Sequence, residues 1–327
     1  MICLGIESTA HTFGVGIVDD KGKALANERA SFTTKEGGIK PREAFDHHVR
    51  EAPGVVRKAM DNAGIGWKEI GLVSFARGPG IGPCLTAGAI VSRTLSLLHN
   101  KPLLGVNHCV AHIEIGRLVT KSKDPIVLYT SGANTQVIGY ESGKYRIYGE
   151  TLDMGVGNLL DSFGREMGLG FPAGPAIDRM YFDGKKYIEL PYSVKGMDLA
   201  FSGLFTAASK KIGKAGKEDL AYSLMHTAFA MLAEVTERAL AHTGKKEVLV
   251  VGGVAASKAL KEIMGEMCRA RGAKLHIPPM EVCIDNGVMV AWQGLLEHRH
   301  GRRMNFEEMV TDQRFRTDQV DVNWLKP

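Results

Sequence analysis

The chain contains 327 residues, of which 41 are lysine or arginine and 36 are aspartate or glutamate, giving a formal net charge of +5. Hydrophobic residues make up 44% and charged residues 24%. These proportions are typical of globular proteins and exclude disordered, collagen-like and coiled-coil chains. At about 150 residues per domain, the length predicts two domains. No apolar run approaches the roughly 20 residues that span a bilayer, so we expect no membrane segment.

Two further features predict a reducing, cytoplasmic location. The N-terminus reads MICLGIEST, which lacks the basic region and long apolar stretch of a secretory signal. The five cysteines are scattered and form no CxxC pair. This pattern argues against a disulfide framework and against a cysteine-rich zinc module. The mild positive charge permits an anionic partner without requiring one.

Strand-like and helical segments alternate along the chain, which predicts an α/β architecture. The first three strands are expected over ICLGIEST, FGVGIVDD and KALANERASF. A helix with apolar residues at about 3.6 spacing follows over EAFDHHVREAPGVVRKAMDNAG. Next come a buried strand, LVSFARGPG, and a helix, LTAGAIVSRTLSLLHN.

The segment that starts at Ile126 repeats the design of the N-terminus. In both places a strand ends in a small polar loop, a second strand returns, and a glycine-containing turn leads to a third. Aligning Thr12 with Thr135 also aligns Gly16 with Gly139. The repeat favours a duplicated domain whose two polar loops face one cleft, although two unrelated hairpins would give a similar pattern.

The polar stretch 118–125 precedes the second set of strands and is the expected hinge between the two halves. The predicted domains are therefore 1–122 and 123–327. The C-terminal segment of the second domain could pack back on the first.

The motif NHCVAHIEIGR contains two histidines at a spacing that suits one metal ion. His108 and His112 are four residues apart, so on a helix both imidazoles project from one face about 6 Å apart. Further ligands would have to come from elsewhere in the chain. Taken alone, a chance pair on the surface or in the core is the simpler interpretation. The protease signature HExxH is absent, because Cys109 stands where its glutamate would be.

Two glycine-containing loops are candidates for binding a nucleotide. The loop YTSGANTQ, residues 129–136, could present backbone N–H groups to phosphate or carboxylate oxygens, or it could be only a tight hairpin turn. In LVVGGVAASKALKEIM, Gly252 and Gly253 could let a flat ring lie on the backbone before a helix that begins near Ser257. Close packing of a helix on a strand explains these glycines equally well. GxGxxG and P-loop motifs are both absent.

Three acidic residues have both a structural and a functional interpretation. Asp285 precedes an apolar helix, which makes it a good N-cap by default and a good oxygen ligand for a metal otherwise. Asp161 and Asp178 bracket a Gly-Pro-rich turn at residues 172–175, which suggests a functional loop whose carboxylates receive ribose hydroxyls. The simpler interpretation is two solvated acids on helix surfaces.

Two basic stretches, SKKIGKAGK and HRHGRRM, could contact phosphates if their charges shared one face. Neither is interleaved with aromatic residues, so a solvated surface is the simpler interpretation of each. The basic residues concerned are Lys210, Lys211, Lys214, Lys217, Arg299, Arg302 and Arg303.

Taken together, the motifs resemble one family along essentially the whole chain. It is the family that makes threonylcarbamoyladenosine in tRNA: the bacterial TsaD proteins and the catalytic subunit of the archaeal and eukaryotic KEOPS complex. The matching segments, in order, are GIESTAHTFGVGIV, ARGPGIGPCL, VNHCVAHIEIGR, YTSGANTQVI, LLDSFGREMGLGFPAGPAID, DLAFSGL, VVGGVAAS and CIDNGVMVAW. The histidine motif and Tyr129 look like the archaeal and eukaryotic branch. The family once carried the name O-sialoglycoprotein endopeptidase.

The resemblance implies an actin/Hsp70/sugar-kinase-like (ASKHA) fold of two duplicated α/β domains with mixed sheets around a cleft. It implies one divalent iron or zinc ion held by His108, His112, Tyr129 and Asp285. It also implies a site for threonylcarbamoyl-AMP or ATP. Where the family usually has an asparagine after GGVAA, this chain has Ser257, and Glu7 occupies roughly the place of the catalytic aspartate of the kinase relatives. The implied nucleotide-binding residues are Tyr129, Thr130, Ser131, Gly132, Ala133, Asp161, Gly174, Asp178 and Ser257.

The activity implied by the resemblance is transfer of the threonylcarbamoyl group from threonylcarbamoyl-AMP to N6 of the adenosine next to the anticodon, in tRNAs that read ANN codons. The implied partners are tRNA, a small kinase-like ATPase and a small dimerising subunit, and one of the two N-terminal helices is the expected docking site. No general base stands out. His11, His47 and His48 are candidates by residue type only, and a structural role is expected for each.

Three other functions remain open from the sequence. A metalloprotease would need a glutamate base near the histidines, but Glu114, the only acid nearby, would lie about 200° around the helix on its far face. A metal- and ATP-binding regulatory or scaffold module would carry the same motifs without chemistry. A sugar or acid kinase would need an aspartate in the loop of Glu7.

Overall fold

Two mixed β-sheets of the same topology form the centre of the fold. The computed structural model describes residues 1–34 and 38–325, so the predicted end of the second domain, 326–327, lies outside it. In the first sheet the strand order is β3-β2-β1-β4-β5. The first three strands are antiparallel, and β4 and β5 run parallel to β1. These strands are β1 (Ile2–Glu7), β2 (Thr12–Val18), β3 (Ala24–Ser31), β4 (Ile70–Gly78) and β5 (Leu103–Asn107).

The second sheet repeats this order and these directions, which confirms the predicted duplication. Val251 pairs with Tyr129, so the two parallel strands that contain these residues end next to each other. Between its third and fourth strands in the chain, β9 (Val194–Lys195) and β10 (Asp198–Leu199) form a separate two-stranded hairpin. The strands of the second sheet are β6 (Ile126–Thr130), β7 (Thr135–Glu141), β8 (Lys144–Glu150), β11 (Glu247–Val251) and β12 (Lys274–His276).

Helices pack around both sheets, and local sequence chemistry sets where they begin and end. Pro41 begins the first helix, and Gly64 ends it in the left-handed conformation at φ 65°. Within the described residues, no helix is both long and apolar enough to cross a bilayer. The helices are α1 (Pro41–Ala63), α2 (Gly82–His99), α3 (His108–Thr120), α4 (Val156–Glu166), α5 (Gly174–Asp183), α6 (Ser202–Ser209), α7 (Lys217–Thr243), α8 (Lys258–Ala270), α9 (Met280–Cys283) and α10 (Gly287–Arg299).

The last helix, α10, packs directly on the first sheet, against β1, β2 and β4. Glycines make this approach possible, because a Cβ atom at Gly5 would overlap the backbone of Ala291 and one at Gly16 would overlap the backbone of Val288. The contact fixes where the N-terminus of α10 lies. The division into domains 1–122 and 123–327 stays a prediction, with α10 belonging to the second by sequence and to the first by packing.

The segment after α10 crosses both halves of the molecule. Asn107 donates from Nδ2 to the carbonyl of Phe315 at 2.9 Å, which ties the segment to the first sheet. Thr317 donates to the side chain of Gln136 in β7 at 3.2 Å, which ties it to the second. The C-terminal segment therefore helps to hold the two sheets together.

Candidate functional site

Two helix N-termini, those of α3 and α10, converge where the halves meet. Asn107 caps α3 by accepting a hydrogen bond from the N–H of Val110 at 3.1 Å. Asn286 caps α10 by accepting one from the N–H of Met289 at 3.0 Å. The default interpretation of Asp285 as the N-cap is therefore wrong: the neighbouring asparagine caps the helix, which leaves the Asp285 carboxylate free to turn toward α3.

Two buried histidines, His108 and His112, and the half-buried Asp285 form a cluster at this junction. Asp285 Oδ1 lies 3.2 Å from His112 Nε2 and 3.5 Å from His108 Nε2. The two imidazole centroids are 4.7 Å apart, as expected for side chains one helical turn apart. One nitrogen or oxygen atom from each of the three residues lies within 4.8 Å of the others. The structure therefore brings together three of the four residues assigned to the metal.

Opposite charges dominate the electrostatics of this cluster. Burial alone would lower the pKa of His108, but the charge and hydrogen bond of Glu7, together with Asp285, raise it to about 9. Burial and the charge of His108 lower the pKa of His112, although Asp285 opposes them. Burial opposes ionisation of Asp285, yet its hydrogen bond to His112 and the nearby histidines lower its pKa well below the usual range. The carboxylates of buried Glu7 and half-buried Asp285 thus lie on either side of the His108 imidazole.

The donor set fits a divalent transition metal. Imidazole nitrogen and carboxylate oxygen suit both zinc and iron, and ligands about 2.0–2.2 Å from a metal lie at mutual distances like those observed. His112 Nδ1 is buried and has no hydrogen-bond partner among residues 1–34 and 38–325, so the ring is held mainly from its Nε2 side. The carboxylates of Glu7 and Asp285 beside the histidines also favour a cation at this position.

Tyr129 approaches this cluster from the second half. It lies in β6, is fully buried, and its ring centroid is 5.5 Å from that of His112. Burial, reinforced by the nearby Cys109 and Asp285, raises its pKa well above the ordinary value. A phenol in this environment stays protonated unless a cation stabilises the oxyanion. Its assignment as the fourth ligand stays a prediction.

The loop between β6 and β7 begins next to Tyr129 and forms a tight hairpin. Ser131 donates its backbone N–H to the carbonyl of Asn134 at 2.9 Å. The carbonyls of Ser131 and Gly132 accept the N–H groups of Gly157 and Asn158 at the start of α4. Gly132 and Ala133 remain exposed. The loop is thus a real turn whose tip is accessible to a ligand.

The two acids that flank the Gly-Pro-rich turn are engaged rather than solvated. Asp161 accepts a hydrogen bond from the N–H of Ala173 at 2.8 Å, and burial raises its pKa. This bond holds the turn that leads to Gly174, the first residue of α5, where a Cβ atom would meet open space. The interpretation of Asp161 as a solvated surface acid is therefore wrong.

Asp178 and Ser257, from two separate helices, meet at the start of α8. The Ser257 hydroxyl donates to Asp178 Oδ1 at 2.5 Å and accepts from the N–H of Leu260 at 3.2 Å. The N–H groups of Lys258 and Ala259 also donate to Asp178. A carboxylate has about four acceptor positions, so roughly one is left for a ligand.

Other candidate residues prove to be structural or remote from the cluster. Glu114 accepts hydrogen bonds from Tyr145 and Trp324, on the side of α3 away from Asp285, so it is not placed as the base of a protease. His48 Nε2 lies 3.0 Å from the carbonyl oxygen of Ala10, which indicates a structural role. The C-terminal arginines bind carbonyl or carboxylate groups of the chain itself: Arg299 with Asp20, Arg302 with Glu297 and Arg303 with His298.

His11 lies against the Gly-Pro-rich turn, with its ring 5.9 Å from that of Phe171, and His47 packs on His48. Both placements leave the general base unassigned.

One participant was missed from the sequence. Glu7 ends β1, is fully buried, and its Oε2 lies 2.9 Å from His108 Nδ1. The only signal was a carboxylate at a strand end before a small polar loop, which the sequence analysis compared only with a kinase aspartate. The partner lies more than 100 positions away, so spacing could not identify it.

Comparison with known proteins identifies the family of this chain. The TsaD family model, described as tRNA N6-adenosine threonylcarbamoyltransferase, matches residues 23–292. A protein of that description from Thermococcus kodakarensis is 53% identical over 99% of this chain and 100% of its own length. A probable bifunctional tRNA threonylcarbamoyladenosine biosynthesis protein from Methanothermobacter thermautotrophicus is 52% identical over the whole chain, which spans 61% of that protein.

Solved structures with low sequence identity share the fold. HypF from T. kodakarensis covers 91% of this chain, and 48% of its own, at 15% identity and a TM-score of 0.64. The Acidaminococcus fermentans (R)-2-hydroxyglutaryl-CoA dehydratase component A covers 91% of this chain and 99% of its own, at 12% identity and a TM-score of 0.57. These likenesses and the duplicated mixed sheets confirm the expected ASKHA fold.

Proposed function

The chain belongs to the family of tRNA N6-adenosine threonylcarbamoyltransferases and is a tRNA-modifying transferase, and from that premise we propose how its residues carry out the transfer. The donor is threonylcarbamoyl-AMP. The acceptor is N6 of the adenosine next to the anticodon in tRNAs that read ANN codons. The exocyclic amine attacks the carbamoyl carbon, the bond from that carbon to the phosphate oxygen breaks, and AMP leaves.

The observation that carries this proposal is the convergence of His108, His112 and Asp285 beside Tyr129, where the second polar loop begins. These four residues hold one divalent iron or zinc ion. When bound, such a cation stabilises the negative charge that develops on an acyl or phosphoryl oxygen. Because Tyr129 leads directly into the loop, the nucleotide and the cation would share one site.

The nucleotide lies across the ends of β6 and β11, which are adjacent in the second sheet. The exposed tip of the β6–β7 loop contacts the phosphate, and carboxylates receive the ribose hydroxyls. Since the amine of adenine is a weak nucleophile, much of the rate comes from holding the two substrates in register. The residues that bind the nucleotide are Tyr129, Thr130, Ser131, Gly132, Ala133, Asp161, Gly174, Asp178 and Ser257.

Binding of tRNA relies mainly on contacts to phosphates. The lysines of the SKKIGKAGK stretch support this, because none of the four forms an ion pair within the described part of the chain. Partner subunits of a KEOPS-type complex, a small kinase-like ATPase and a small dimerising protein, complete the tRNA-binding surface. The place of action is the cytoplasm.

The first half offers a docking surface for one of these partners. Helix α2 exposes Ile90, Leu97 and Leu98, with 50%, 66% and 71% of their surfaces accessible. Apolar side chains exposed together on one helix are typical of a protein interface. This surface lies on one of the two helices expected from the sequence.

The proposed metal role is tested by reconstitution with threonylcarbamoyl-AMP, a tRNA transcript and the partner subunits, measuring threonylcarbamoyladenosine by mass spectrometry. His112→Ala and Asp285→Asn should each lower the rate on the order of 100-fold or more, because charge stabilisation at the carbamoyl group is lost. His276→Ala is the matched control, since His276 is also buried and 3.0 Å from a carboxylate, but in β12. Full modification by a variant that lacks His108 and His112 would refute the role.

A further inference from the structure

Glu7 and Thr9 build a fixed hydrogen-bond arrangement behind His108. Glu7 Oε2 lies 2.9 Å from His108 Nδ1. Its other oxygen, Oε1, accepts from the backbone N–H of Thr9 at 2.7 Å and from the Thr9 hydroxyl at 2.6 Å. None of the three residues exposes more than 5% of its surface. The arrangement lies on the side of the imidazole opposite the Asp285 carboxylate.

We infer that Glu7 is a positioning residue for the metal centre, which holds His108 with its proton on Nδ1 so that Nε2 faces Asp285 and the cation. The inference rests on the proposed metal site. Carboxylate oxygens accept hydrogen bonds, as Oε1 does from Thr9, so Nδ1 is the donor of the 2.9 Å contact to Oε2. In a neutral ring the lone pair is then on Nε2, which lies 3.5 Å from Asp285 Oδ1. Carboxylates behind metal-binding histidines commonly fix the ring in this way.

Thr9 supports the same assignment. Its hydroxyl oxygen is 3.4 Å from His108 Nδ1. Because the hydroxyl hydrogen is already donated to Glu7, this oxygen can only accept from the ring. Both groups that face Nδ1 are therefore acceptors, and a ring with an unprotonated Nδ1 would face two oxygen lone pairs.

The two Thr9 donors also predict what a glutamine at position 7 would do. The amide has one acceptor oxygen, and the donors on Thr9 would draw that oxygen toward them. The amide NH₂ group would then face His108 Nδ1 and donate to it. That contact favours a proton on Nε2, the atom that must bind the cation. Glu7→Gln should therefore reverse the preferred tautomer while it keeps the shape of the side chain.

A purely structural role for Glu7 predicts a different result. Loss of a buried carboxylate would then lower stability without a selective effect on metal binding. Glu114 provides the matched control, because it is a buried glutamate on α3, the helix of His108, and its partners Tyr145 and Trp324 lie away from Asp285. Glu114→Gln should lower stability and leave metal affinity within about threefold of wild type.

The test is a Co²⁺ titration of the full-length chain, followed by the visible d–d absorption of the ion. Wild type should bind one ion, and Glu7→Gln should bind it about 10–100-fold more weakly, with an altered absorption band. Equal affinity and an equal band in wild type and Glu7→Gln, or an equal loss in Glu114→Gln, would overturn the inference. If wild type binds no ion, the proposed metal site itself fails.

A second measurement uses only the wild-type chain, so it does not depend on whether a variant folds. In the zinc-loaded wild-type chain labelled with ¹⁵N-histidine, NMR should show His108 protonated at Nδ1 and bound to zinc through Nε2. Zinc bound through Nε2 without a proton on Nδ1, or zinc bound through Nδ1, would overturn the inference even if Glu7→Gln cannot be purified.

Discussion

The two halves share one sheet topology but use it for different purposes. In the first half, α10 lies with its backbone against Gly16 of β2. At the corresponding position of the second half, Gly139 is the fifth residue of β7 and faces the ring of Tyr148, which a Cβ atom would meet at 2.7 Å. Backbone contact thus holds α10, which directly follows Asp285 and Asn286, against the half that contains His108. In the half that carries the exposed loop, the equivalent glycine packs against a side chain, which can move.

The largest expected effect is on stability, when one methyl group is added at the equivalent glycine of each half. Gly16→Ala would overlap the backbone of Val288, which cannot move without displacing α10, so the free energy of unfolding should fall by about 3 kcal/mol or more. Gly139→Ala should cost about 1 kcal/mol, because the Tyr148 ring can shift. Urea unfolding of both variants measures the difference. Equal losses would show that α10 is not held by close backbone packing.

The first half could be predicted well from local pattern, because periodicity and turn residues act over short distances. The predicted strands and helices through His99 correspond to β1–β4, α1 and α2 within a few residues. The repeat of Thr12 and Gly16 as Thr135 and Gly139 also revealed the duplication. Both kinds of signal can be found in the sequence without knowing which residues are in contact.

The site could not be predicted in the same way, because tertiary contacts decide between adjacent residues. Asp285 and Asn286 are both good N-caps by residue type. Asn286 takes the cap because Asp285 is drawn to His112, 173 positions earlier in the chain. The ligand set came from the family resemblance. The role of Glu7 followed only when β1 and α3 were seen side by side.

The next effect in size concerns acid sensitivity, which should be concentrated in the first half. Burial lowers the pKa of His48 in α1 from its usual 6.5 to about 4, against the opposing hydrogen bond to Ala10. Below pH 6.5 the unfolded chain gains a proton that the folded chain does not, so stability falls as the pH drops toward 4. At pH 5 the loss should be about 2 kcal/mol relative to pH 7.

Urea unfolding of wild type and His48→Gln at pH 7 and pH 5 measures this contribution. The variant should lose about 2 kcal/mol less than wild type on acidification, because glutamine does not titrate. Hydrogen exchange at pH 5 should show the added opening in β1, β2 and α1 of the wild type. Identical losses in both proteins would assign the acid sensitivity to other groups.

The smallest effect on stability is expected in the second half, where the Ser257 side chain joins Asp178 to the start of α8. Ser257→Ala removes the N-cap of α8 and one donor to Asp178, which should cost about 1 kcal/mol of stability. Asp178 keeps the N–H groups of Lys258 and Ala259, so the helix should still form. Ser257→Asn restores a good cap and should recover most of the stability.

The same pair of variants separates capping from ligand binding, because nucleotide affinity is measured apart from stability. If Ser257 acts only by holding Asp178 and α8, Ser257→Asn should bind AMP about as tightly as wild type in a calorimetric titration, and Ser257→Ala should bind it several-fold more weakly. Weak binding by both variants would mean that the serine hydroxyl itself contacts the nucleotide. If both variants bind AMP as tightly as wild type, Ser257 is a capping residue and not part of the nucleotide site. In this half, stability and ligand binding would then depend on different hydrogen bonds.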